Sequence, residues 1–90
     1  MIDGYNSQFD RQGAKFLVQT QDMGMGARYL ETLIYCAGKL LTSKKTFYTS
    51  FLNSPNIARM IHQILEDQHK DVLQEIADGK FDRFLPAGRD

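Results

Sequence analysis

The stretch from Ser54 to Gly79 leaves this chain the least freedom. Ser54 is a favoured helix N-cap, and Pro55 suits the first helical position, where its missing N–H is no loss. Ile57, Met60, Ile61, Ile64, Leu65, Val72, Leu73 and Ile76 then recur at spacings of three and four. That period predicts an amphipathic helix over 55–78, roughly 36 Å long at the α-helical rise. Gly79 stands where a left-handed C-cap belongs.

The preceding stretch is read in the same way. Tyr29, Leu30, Leu33, Ile34, Ala37, Leu40 and Leu41 fall on one helical face, and Phe47, Tyr48, Phe51 and Leu52 extend it. The spacing predicts a helix over 27–53, with a break near Ser43 as the alternative. The connection between the two helices is so short that they must lie antiparallel as a hairpin. Residues 1–25 are less regular and read as a short helix or extended arm carrying Phe9 and Phe16. Residues 26–90 form the hairpin domain, ending in an apolar tail before Pro86. The expected fold class is all-α.

The chain has 90 residues, enough for one core. Lys and Arg number 11, as do Asp and Glu, and that balance argues against a polyanion-binding surface. Apolar runs are short, Phe16–Val18 and Leu33–Cys36, so no membrane-spanning segment is expected. The absence of a basic-then-apolar leader and the single cysteine, Cys36, point to a reducing, cytoplasmic setting.

His62, Glu66 and His69 lie at i, i+4 and i+7 on one side of the second helix, and Glu66–His69 forms a Glu-x-x-His unit of the kind that binds iron in carboxylate bundles. Their place beside the apolar stripe reads first as a solvent-facing flank. Only Glu31 offers a carboxylate on the preceding stretch, far along the axis, so a second chain would have to complete an iron or zinc site. Cys36 reads as a packed thiol among apolar neighbours. Gly24-Met25-Gly26 reads as a turn, because it lacks the strand and the Lys-Ser/Thr pair of a phosphate loop. A helix-turn-helix over 47–65, presenting Asn56 and Arg59, lacks the basic footprint of a DNA reader.

Several segments resemble the spore coat protein F family: Leu40-Leu41-Thr42-Ser43-Lys44-Lys45-Thr46-Phe47-Tyr48, Asn53 to Arg59, Gln63 to His69, Gly79-Lys80-Phe81 and Leu85-Pro86-Ala87. The resemblance covers about residues 27–88 and implies a ferritin-like fold, a coat component and a possible spore-coat location. It lacks the family's tryptophan.

The expectation is thus a non-enzymatic structural or protein-interaction protein without a cofactor. It would pair with itself, or with other coat or structural proteins, and with neither nucleic acid nor membrane. The alternatives are a ferritin-like metal binder using Glu66 and His69 across a dimer, or a small DNA-binding regulator. Two hairpins would make a homodimeric four-helix bundle, burying the apolar edge formed by Tyr29, Phe47, Tyr48, Phe51, Met60 and Val72.

Overall fold

A computed structural model describes residues 4–85 of the chain. Four strands come first and one long helix follows: β1 (Gly4–Arg11), β2 (Ala14–Asp22), β3 (Tyr29–Cys36), β4 (Lys39–Phe47) and α1 (Ile57–Ala77). The strands form an antiparallel meander in the order β1-β2-β3-β4. Short 3-10 turns at Thr49–Phe51 and Asp82–Phe84 flank the helix. The expectations that fall on Pro86, Ala87 and Gly88 lie outside the described residues.

This overturns the all-α reading. Residues 27–53 are not a helix but the whole β3–β4 hairpin with the 3-10 turn after it, and the described part of residues 1–25 forms β1 and β2 rather than an arm or helix. With a single long helix there is no helical hairpin, no ferritin-like half-bundle and no four-helix bundle to complete by dimerisation. The resemblance to spore coat protein F falls with the hairpin on which it rested. The second helix is where the spacing put it, starting at Ile57 rather than Pro55, with Asn56 as its N-cap residue.

Two tight turns make the sheet. Arg11 pairs with Ala14 across Gln12-Gly13, and Cys36 pairs with Lys39 across Ala37-Gly38. All four turn residues have positive φ, at 50° and 84° and at 53° and 80°. That is the mirror-image turn whose twist matches antiparallel strands. Between Ile34 and Tyr35 the β3–β4 register shifts, leaving Leu41 as the extra residue of a bulge.

Strand residues alternate between two faces. Ala14, Phe16, Val18 and Thr20 on β2, and Leu30, Thr32, Ile34 and Cys36 on β3, point to one side and are buried there. Helix α1 lies across that side, nearer β1 and β2 than β4. Its buried stripe is Ile61, Leu65, Gln68, His69, Val72 and Ile76. The apolar core falls into two clusters. Phe16, Val18, Ile34 and Cys36 meet Val72 and Ile76 at the tight-turn end. Leu30 and Tyr48 meet Ile61 and Leu65 at the other.

The helix ends in a Schellman motif. Gly79 N–H donates to Ile76 C=O at 3.1 Å and Lys80 N–H to Glu75 C=O at 3.0 Å, with Gly79 at φ 86°. The chain then turns so that Asp82 accepts two hydrogen bonds from Arg11 at the end of β1, both at 3.0 Å. Paired in this way, the Arg11 guanidinium holds the Asp82 carboxyl below its ordinary value.

Three stability outcomes rest on this packing and on the turns. Leu65→Ala, at a fully buried site, is expected to cost about 2–5 kcal/mol in denaturant unfolding. Ile64→Ala, at a half-buried neighbour, is expected to cost less. Ala37→Asn, which places the preferred Asn-Gly pair in the β3–β4 turn, is expected to raise stability by about 0.5–1 kcal/mol. A lower midpoint for Ala37→Asn would contradict the turn geometry.

Candidate functional site

Between the two apolar clusters runs a layer of polar side chains that crosses all four strands. Ser7 on β1 lies 2.8 Å from Nε2 of His69, and Thr20 on β2 lies 2.8 Å from Nδ1 of the same ring. Thr20 and Thr32, directly opposite on β2 and β3, touch at 2.7 Å. Gln68 donates to the Thr32 hydroxyl at 2.9 Å and to the Lys44 carbonyl at 3.2 Å, and accepts from Thr46 on β4. Thr20, Thr32, Gln68 and His69 are all buried.

The direction of this relay follows from its ends. A carbonyl only accepts, so the Lys44 carbonyl takes the Gln68 amide N–H and leaves the amide oxygen facing Thr46. Thr32 accepts from Gln68 and, having no exposed surface, passes its own hydrogen to Thr20. Thr20 then donates to Nδ1 of His69, and the ring's Nε2–H donates to Ser7. His69 is therefore held neutral with its proton on Nε2. Burial pushes its pKa down from the ordinary 6.5. Ser7 is an acceptor in this arrangement and has no base to activate it. The Ser–His contact orders the structure and does not create a nucleophile.

The residues singled out from sequence are dispersed by the fold. His69 is in the core, with both ring nitrogens engaged. Glu66 is half-buried and pairs with Lys70 at 2.9 Å, while His62 is exposed with its ring 6.3 Å from that of Tyr5. No group of three or more His, Cys, Asp or Glu residues among the described residues is arranged to hold a metal ion. Tyr48 and Val72, read as parts of an exposed edge, are fully buried, and Phe51 and Met60 are half-buried. The Tyr48 hydroxyl reaches Asp22 at 2.7 Å and Gly24 C=O at 3.0 Å, pinning the β2–β3 loop. Burial first, and then the bond to Asp22, push its pKa up to about 12. Asn56 and Arg59 are exposed at the start of α1, and Cys36 is buried.

Tyr29 and Phe47 do lie on an accessible surface, the face of the sheet opposite the helix. Their rings pair at 5.0 Å, with the Lys45 ammonium 5.0 Å from the Tyr29 ring centre. By strand alternation Leu17, Leu33, Tyr35 and Leu40 share this face. Phe47 is 59% exposed and Leu40 52%. A concavity of about 510 Å³ opens beside Leu17 and Tyr35, rimmed by Gln8 and Lys15. Nothing among the described residues covers this face. No helix of the described chain is long and apolar enough to cross a membrane.

Comparison with protein-family models, curated proteins and solved structures finds no match to this chain.

The relay makes a pH outcome explicit. His69 has a lower pKa folded than unfolded, so the unfolded chain binds the extra proton and acid favours unfolding. Folding free energy is expected to be at its plateau above about pH 6.5 and to fall as the pH drops toward 5. Urea midpoints measured across that range check it, and His69→Gln is expected to flatten the slope.

Proposed function

We propose that this chain is a non-enzymatic protein-interaction module that engages its partner through the open face of the sheet. The observation that carries the reading is the contrast between the two faces. One is sealed by α1, while the other leaves Leu40 and Phe47 more than half exposed beside Leu17, Leu33, Tyr29 and Tyr35. Contiguous apolar surface of this kind is uncommon on isolated domains and marks contact sites. Lysines at the margins, Lys15 and Lys45, supply the polar rim typical of such sites.

A photo-crosslinking residue placed at Leu40 tests this in cells that make the protein, with the same residue at Gln74 on the solvent side of α1 as the comparison. Discrete protein adducts are expected from position 40 and none from position 74. Leu17→Lys, introduced beside the position-40 probe, is expected to remove them while the far-ultraviolet spectrum is kept. Equal adducts from both positions, or none from position 40, would contradict the reading.

A further inference from the structure

The two outer strands of the sheet are built differently. β4 carries Lys39, Lys44 and Lys45 and a bulge at Leu41. Charge and bulging are the usual means of blunting a sheet edge. β1 has no bulge, and its only charges, Asp10 and Arg11, lie together at one end, with Arg11 paired to Asp82. Gly4–Arg11 contains no lysine or proline and pairs residue for residue with β2 without a register shift. Among the described residues its other side is hydrogen-bonded to no strand.

The pattern of β1 is also symmetric about Ser7. Reading outward, Asn6 is matched by Gln8 and Tyr5 by Phe9, an amide by an amide and an aromatic by an aromatic. The backbone phase fits the same centre. The two-residue turn makes Arg11 and Ala14 a hydrogen-bonded pair, so Phe9, Ser7 and Tyr5 direct their backbone groups to β2. The Ala37 N–H to Lys15 C=O bond, 3.1 Å, fixes the complementary phase, with odd residues of β2 facing β3. Asn6, Gln8 and Asp10 therefore turn their N–H and C=O groups outward.

The geometry points to the outer edge of β1 as a self-pairing edge: two copies of this chain join β1 to β1, antiparallel, about a two-fold axis at Ser7. In this register Asn6 exchanges backbone hydrogen bonds with the partner's Gln8, and Gly4 with the partner's Asp10. Tyr5 lies opposite the partner's Phe9 as a non-hydrogen-bonded pair, the closer of the two antiparallel spacings and the one that favours side-chain contact. Both aromatics are half-buried on the helix side, so the new contact covers their exposed edges. The two helices come side by side on one face, and the two sheets merge into one. The inference rests on the chain being an interaction module but uses a different surface from the open face, which stays free in the pair.

Light scattering or sedimentation of the full chain at micromolar concentration tests it. The expected mass is twice the 10.3 kDa of the chain, falling toward 10.3 kDa on dilution. Gln8→Pro removes an outward N–H and no bond to β2, and is expected to give a folded monomer. Asn6→Lys with Gln8→Lys, which sets cations against cations across the axis, serves if the proline variant does not fold. Ser7→Cys is expected to form a disulfide-linked dimer under mild oxidation, whereas Asp10→Cys is not. A native chain that stays at 10.3 kDa overturns the inference. So does a dimer that survives the edge variants but dissociates in Leu17→Lys with Leu40→Lys, and that second result would leave the open-face reading intact.

Discussion

The fold depends on one constraint: a row of buried hydroxyls on the sheet must find partners on the helix. Thr20 and Thr32 have no contact with solvent, and an unpaired hydroxyl at such a depth costs about 1–3 kcal/mol. They bond to each other, and His69 and Gln68 on the helix meet the rest of their hydrogen-bonding capacity. The two helix residues also reach outward to Ser7 and Thr46, so one layer ties the helix to every strand. Apolar contact is non-directional and fixes the position of α1 along the sheet less sharply than paired hydrogen bonds do. The polar layer does not tolerate sliding. A shift of one helical turn would strand four buried polar side chains at once. The two apolar clusters supply the bulk of the burial, and the layer between them sets the register in which they meet.

The same layer explains which parts of the fold were legible in the sequence. Helix α1 was legible because its apolar stripe is long and its C-terminal glycine sits in a Schellman motif. The strands were not, for three physical reasons. Thr20 and Thr32 occupy core positions where an apolar residue would have revealed a two-residue period. On β3 the opposite face is apolar too, so Tyr29-Leu30 and Leu33-Ile34-Tyr35 read as a three-four helical spacing when they are the two sides of one strand. And Gln12-Gly13 and Ala37-Gly38 are the chain's tight turns, yet only their glycines belong to the usual hairpin signal. The β-branched and aromatic residues at 32–35 and 46–49 favoured strand and were the available clue.

The site was legible to a smaller degree. His69 was singled out for the company of Glu66 and His62, and its real partners, Ser7 and Thr20, come from strands that the helical reading did not contain. Tyr29 and Phe47, which the helical reading set on one stripe, are cross-strand neighbours on the face of the sheet away from the helix. Leu17, Leu33, Tyr35 and Leu40 complete that surface through the sheet's alternation alone. Tyr48 shows the opposite case. It is the largest fully buried side chain, and its hydroxyl is consumed in anchoring a loop.

The order of elements along the chain also bears on how the protein is made. The four strands leave the ribosome before the helix that covers them. Until residues 57–77 have emerged, Phe16, Val18, Leu30 and Ile34 have no helix to cover them, and Thr20 and Thr32 lack His69 and Gln68. The nascent sheet is then apolar on both sides, and its last clasp, between Arg11 and Asp82, joins residues 71 positions apart. A chain arranged in this way cannot bury its inner sheet face until its last long element is available, so the contacts between sheet and helix are late in the chain and long in range.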